Sequence, residues 1–147
     1  MRQFVGRDAQ GEAFREALAA PVLPFVLMYV HGPGGVGKSW LLKHLAALGV
    51  EHQANVLALD GRHIDPSSGG FLAALRMAAA SPDHSPDEMP GMTADAIWRM
   101  LDPGARRCVI LIDTYELLAP LDGWLREHFL PGMPDNVLVV LASRQPP

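Results

Sequence analysis

The sequence predicts an α/β fold in three layers, with a mostly parallel sheet between helices and a phosphate-binding loop at its centre. Two observations carry this. Residues 31–39 read His-Gly-Pro-Gly-Gly-Val-Gly-Lys-Ser, directly after the apolar run Phe25 to Val30 and before a helical pattern. Further apolar runs at 56–59, 108–112 and 137–142 alternate with helically spaced apolar residues. Unbroken apolar runs of this length are the mark of strands buried on both faces of a parallel sheet.

Gly32, Gly37, Lys38 and Ser39 fill the pattern G-x-x-x-x-G-K-[ST], in the strand-then-helix context that it requires. A triphosphate must be wrapped closely by main chain, and side chains at Gly34, Gly35 or Gly37 would obstruct that approach. Pro33, Val36 and Trp40 complete the candidate nucleotide-contacting segment. The helix that begins near Gly37 adds the positive end of its dipole, and Lys38 reaches the β- and γ-phosphates as a point charge. Ser39 is placed to ligate Mg²⁺. The bland alternative is a glycine-rich turn that fits the pattern by chance; the flanks and the later motifs favour the phosphate loop.

The 147 residues suffice for one domain with a real core, and 49% hydrophobic with 19% charged is ordinary globular composition. A net charge of −4 gives no broad basic footprint for nucleic acid. The single cysteine, Cys108, has no internal disulfide partner and suits a reducing cytosol. The N-terminal residues lack the apolar core of a signal peptide, and no apolar run is long enough to span a bilayer. A cytoplasmic, soluble protein is the expectation.

In chain order, Phe14, Ala17 and Leu18 lie on one face of a first helix, with Asp8 as expected N-cap and Pro21 closing the far end. Val22 to Val30 is a buried strand. Leu41, Leu42, Leu45 and Leu48 repeat at helical spacing, with Gly49 where a C-terminal cap would fall. Val56 to Leu59 form a second strand ending at Asp60. Asp60, Arg62 and His63 then sit at the strand end where open α/β sheets bind ligands, or are simply solvated loop charges. Ser67 or Ser68 caps a helix carrying Phe71, Leu72, Leu75 and Ala78.

Residues 81–92 hold three prolines, several acids and His84, a surface-loop composition with no spaced second metal ligand. Thr93 caps a short helix presenting Ile97, Trp98 and Leu101, with Trp98 expected in the core. Cys108 to Ile112 form a strand ending in Asp113. Leu117, Leu118, Leu121, Trp124, Leu125 and Phe129 continue in a broadly helical pattern, interrupted by Pro120 and Gly123. Asn136 introduces the last strand, Val137 to Ala142, before Ser143-Arg144.

Hydrolysis needs a carboxylate near the metal and a group that orients water. Asp113 fits the first role, holding Mg²⁺ from the end of a neighbouring strand. Glu116 reads either as the general base or as a helix-start carboxylate. Arg144 reads either as a contact to the γ-phosphate or as a surface arginine.

Phe4-Val5-Gly6-Arg7, GPGGVGKS, VILIDTYE and VLVVLASR together resemble the N-terminal part of a STAND ATPase, a class of signal-transduction P-loop NTPases related to the AAA+ group. The resemblance covers nearly the whole chain. It implies an ASCE-type sheet of order 5-1-4-3-2, with the last strand of this chain between those carrying the loop and Asp113. It also implies base-side contacts from Val5, Gly6 and Arg7. Many relatives carry an acid directly after the strand-end aspartate, where this chain has Thr114. Relatives continue into a fifth strand, a helical lid and further domains. On that reading residues 1–147 are a C-terminally truncated nucleotide-binding domain, with Phe25 to Val30 left as an unpaired edge open to self-association.

The expected function is an ATP- and ADP-binding, Mg²⁺-dependent switch with slow hydrolysis inside a larger signalling or transcriptional regulator, and little turnover by this piece alone. Its partners would be nucleotide, further domains or other proteins, and no membrane. The alternatives are an AAA+ ATPase acting on DNA or protein, a non-hydrolysing nucleotide-binding scaffold, and a small-molecule kinase, for which no acceptor or lid motif is present.

Overall fold

The apolar runs become strands β2 (Leu27–His31), β3 (Asn55–Asp60), β4 (Cys108–Asp113) and β5 (Val137–Ser143), joined at one edge by a two-residue strand, β1 (Arg2–Gln3). This is a computed structural model; it describes residues 2–3, 7–20, 27–31, 38–79, 97–98 and 107–143, with side chains for 12–20, 27–30, 41–78, 97–98 and 107–143. The sheet order is β1-β2-β5-β4-β3 and every pairing is parallel. β5 therefore lies between β2 and β4, as the sequence resemblance implies.

Alternation along the strands divides the core in two. Tyr29, Leu57, Ile110, Ile112, Val139 and Leu141 face one side. Met28, Val30, Val109, Leu111, Leu138 and Val140 face the other. Helices α1 (Arg7–Ala19) and α2 (Lys38–Glu51) cover the second face. They do so through Phe14, Ala17 and Leu18, and through Leu41, Leu42, Leu45 and Leu48, each set at helical spacing and buried. Helix α3 (Ser68–Ala79), Ile97-Trp98 and a composite helix over 115–132 cover the first. With both faces covered, β5 is buried along its full length, which is why its sequence does not alternate.

Several local expectations are corrected. α1 begins at Arg7, so Asp8 is inside the helix and not its N-cap. α2 runs past Gly49 to Glu51. The chain reverses instead at Gln53 (φ 62°), where Gln53 N–H donates to the Val50 carbonyl and Ala54 N–H to that of Gly49. That is a Schellman ending built on glutamine. Gly49 is needed for another reason: a Cβ there would lie 2.7 Å from Val56 Cγ2, so it lets α2 approach β3. Ser67 caps α3, its hydroxyl accepting from Gly70 N–H at 3.0 Å.

The helical course over 115–132 kinks at Leu118 (φ −100°, ψ 15°) rather than at Pro120 or Gly123. It passes from a 3-10 helix (Tyr115–Leu121) through an α turn (Asp122–Trp124) and a π turn (Leu125–Phe129) to a second 3-10 turn (Leu130–Gly132). Leu117, expected on the buried face, is 49% exposed. With two short 3-10 pieces meeting at the Leu118 kink, the buried residues are Tyr115, Leu118 and Leu121 instead. Trp98 is in the core as expected, its indole N–H donating to the Phe129 carbonyl at 3.1 Å.

The edge beside β2 also differs. Arg2 pairs with Met28 and Gln3 with Tyr29, so the strand expected to be bare carries a parallel neighbour along part of its length. The expected features at 21–26, 81–92, Thr93 and Leu101 lie outside the described residues. Among the described residues no helix is long and apolar enough to cross a membrane. Burial pushes the Cys108 thiol up to about 12, which fits a small core residue better than a nucleophile.

Candidate nucleotide-binding site

Parallel strands end together, so the register fixes what shares the carboxyl edge of the sheet. His31 pairs with Ser143, Ile112 with Leu141, and Asp60 with Asp113. Across that edge the order is therefore His31, Ser143, Asp113 and Asp60. In the sequence residues 32–37 fall between the end of β2 at His31 and the start of α2 at Lys38.

The site residues expected from sequence divide accordingly. Val5, Gly6, Gly32, Pro33, Gly34, Gly35, Val36, Gly37 and Arg144 lie outside the described residues. The backbone of Arg7 opens α1, and that of Lys38, Ser39 and Trp40 opens α2. Asp113 is the last residue of β4, partly buried, with Oδ1 accepting the Thr114 N–H at 2.8 Å. Glu116 stands in the first turn of the 3-10 helix, partly buried and three residues beyond Asp113. Its position is compatible with either of the roles weighed from sequence.

Asp60 and Arg62 satisfy one another. The Arg62 guanidinium donates to both Asp60 oxygens (Nε at 3.1 Å to each, Nη2 at 2.7 Å to Oδ2), and its backbone N–H adds a third donor. The side-chain hydrogen bond from Arg62 holds the Asp60 carboxyl below its ordinary value. Arg62 and His63 are exposed, so the solvated reading holds for these two, although Arg62 still feels the field of Asp113.

Three features of the site were not expected from sequence. Thr114 is in the left-handed region (φ 56°, ψ 42°), which for a β-branched residue costs about 1–3 kcal/mol. Gly61 packs beneath it: a Cβ there would overlap the Thr114 carbonyl oxygen and lie 3.3 Å from that of Asp113. Tyr115 is buried, its hydroxyl donating to Asp122 Oδ1 at 2.6 Å, while Asp122 Oδ2 accepts from Arg126 Nε at 2.9 Å. The Asp122 carboxyl is pushed up by burial and, more strongly, down by its bonds from Tyr115 and Arg126 together.

Burial first, and then the bond to Asp122, raise the Tyr115 phenol above its ordinary value. The folded protein thus keeps this proton where the unfolded chain, with a phenol near pKa 10, releases it. The contribution is complete below about pH 10 and is lost as the pH rises beyond it. Denaturant unfolding of wild type and Tyr115→Phe between pH 8 and 11 is expected to show their stability difference shrinking above pH 10; a constant difference counts against the assignment.

Neither a family model nor a curated protein sequence matches this chain. Among solved structures, the C. elegans PCH-2 structure aligns with 95% of this chain at a TM-score of 0.50 and 19% identity. PCH-2 is an AAA+ ATPase. The two share a three-layer α/β fold built on an all-parallel sheet. The chain spans 36% of the PCH-2 chain, so the likeness speaks to architecture and to this portion alone. Within that fold β5 lies between β2 and β4, and β4 ends in Asp113.

Proposed function

We propose that this chain is the nucleotide-binding part of a STAND-type ATPase, an ATP-binding and slowly hydrolysing switch within a larger cytoplasmic signalling or transcriptional regulator. What supports the reading is the sequence GPGGVGKS, which follows β2 and runs into the first residues of α2, together with Asp113 at the carboxyl end of β4, two strands from β2. Loop amides and Lys38 bind the phosphates. Ser39 and Asp113 hold Mg²⁺, directly or through its water shell, and Val5, Gly6 and Arg7 lie toward the base. Hard oxygen donors suit that ion, and Mg²⁺ completes its shell with water and phosphate rather than with an all-protein cage.

When bound, Mg²⁺ neutralises charge on the β- and γ-phosphates. The protein's part is to orient: Glu116 toward the attacking water, and Arg144 toward the γ-phosphate. ATP and ADP then stabilise different arrangements of the parent protein, and hydrolysis resets it.

Calorimetry with Mg²⁺-ATP and Mg²⁺-ADP tests this on the chain and on Lys38→Ala. Saturable binding by wild type is expected, weakened at least about tenfold in the variant, since one charge-assisted phosphate contact is worth about that much. A folded wild-type monomer that binds neither nucleotide would sink the reading for this chain. Tight binding with no turnover by the full-length protein would point to a scaffold instead.

A further inference from the structure

Glu116 and Asp113 belong to one turn, and what holds that turn is a side chain from neither. Along β4, Ile110 and Ile112 face the composite helix while Val109 and Leu111 face α1 and α2. Continued alternation would send residue 114 to the first side and residue 115 to the second. The left-handed Thr114 reverses this, and Tyr115 enters the core under the composite helix. There its ring stands edge-on to Tyr29 at 6.4 Å and its hydroxyl reaches Asp122. Tyr29 lies on β2, three residues before Gly32, so the ring contact ties β2 to the Asp113 turn across the end of β5.

We propose that Tyr115 is a positioning residue that locks the Asp113-to-Glu116 turn in its left-handed form, so that both carboxylates are held at the nucleotide edge. The inference rests on the reading of that edge as a Mg²⁺-nucleotide site. Three contacts act together. Tyr115 is clamped from one side by Asp122, which Arg126 holds in turn. Gly61 leaves room for the Thr114 carbonyl from the other. Asp113 Oδ1 accepts the Thr114 N–H, so the orientation of the acid is coupled to the left-handed Thr114 backbone that the anchored Tyr115 ring holds from the next peptide. Freed from the Asp122 bond, the turn can relax toward ordinary extended geometry, which takes the Thr114 N–H away from Asp113.

Tyr115→Phe removes the hydroxyl and keeps the ring. ATP affinity is measured by calorimetry with Mg²⁺ and with EDTA, and the ratio of the two is the Mg²⁺ enhancement. The expected result is an unchanged affinity in EDTA and an enhancement lower by about tenfold, the usual cost of losing a group that orients a metal ligand. Asp122→Asn keeps an acceptor for the phenol and is expected to hold the enhancement within about threefold of wild type, by the same reasoning. A merely structural role would weaken both affinities alike or lower only the unfolding midpoint, and either result overturns the proposal. So does an equal enhancement in wild type and Tyr115→Phe. Absence of any ATP binding by wild type is a different failure: it removes the nucleotide reading itself and is seen before the variants are compared.

Discussion

Phe129→Ala is expected to lower the unfolding free energy by about 3–5 kcal/mol, the range for removing a buried aromatic ring from a packed core. Phe129 is 1% exposed and is the hub of an aromatic group, with ring centroids 5.2 Å from Phe71, 4.3 Å from Trp98 and 5.5 Å from Trp124. These contacts join α3, the residue-98 helix and the π turn, so one truncation loosens three elements. Domains of this size typically have about 5–15 kcal/mol in total, and a midpoint lower by about 10 °C follows. The Trp98 indole bonds the Phe129 main-chain carbonyl, which the substitution leaves in place. Trp98 emission should therefore shift to the red through added hydration rather than through loss of its partner. Phe129→Leu, which refills much of the volume, should cost less than half as much. A loss below about 1 kcal/mol in Phe129→Ala would mean that the cluster is not packed as described.

Gly61→Val is expected to lose about 3 kcal/mol, at the upper end of the usual cost of overpacking. It should also weaken Mg²⁺-dependent ATP binding. The first atom of any side chain at 61 overlaps the Thr114 carbonyl oxygen and comes within 3.2 Å of the Thr114 carbonyl carbon. Main-chain atoms cannot swing aside as the tip of a side chain can, so the β3 end or the Asp113 turn must move. Gly69→Ala is the control, because nothing lies within 4 Å of a Cβ there. Chemical denaturation with calorimetry in parallel checks both effects. Wild-type stability in Gly61→Val would show that the two loops separate freely; wild-type Mg²⁺ dependence in a destabilised variant would show that the turn holds its place and β3 gives way.

The strands were legible because burial on both faces leaves only apolar residues to choose from, as in β4 and β5. Trp98 was legible for a related reason, as a large ring on the apolar face of a short helical pattern. The departures come from geometry that local composition does not encode. Leu117 fits a 3.6-residue period, but the chain there is two short 3-10 pieces that meet at a kink on Leu118. The reversal after α2 falls on Gln53, which nothing marks as left-handed, while the glycine that looks like a cap serves the packing of α2 on β3. β1 is two residues long and gains its place from β2 rather than from any strand pattern of its own. Of the candidate site, Asp113 could be placed because a strand must end somewhere and an acid ends this one. Thr114 and Tyr115 could not, since a β-branched residue is among the least expected in a left-handed turn.

The position of β5 has a consequence for the order in which the molecule is made. Leu27 pairs with Val139 and His31 with Ser143, so the strand leading into the glycine-rich loop finds its long neighbour among the last residues of the described chain. During synthesis β2, α2, β3 and β4 emerge first, and β2 and β4 cannot join one sheet until β5 arrives to sit between them. Pairings between such distant segments close slowly, and the apolar strands are open to aggregation in the meantime. Until β5 is available the chain can pair β3 with β4 but cannot bring β2 and β4 into one sheet, so β5 brings together the sheet and the edge that carries Asp113.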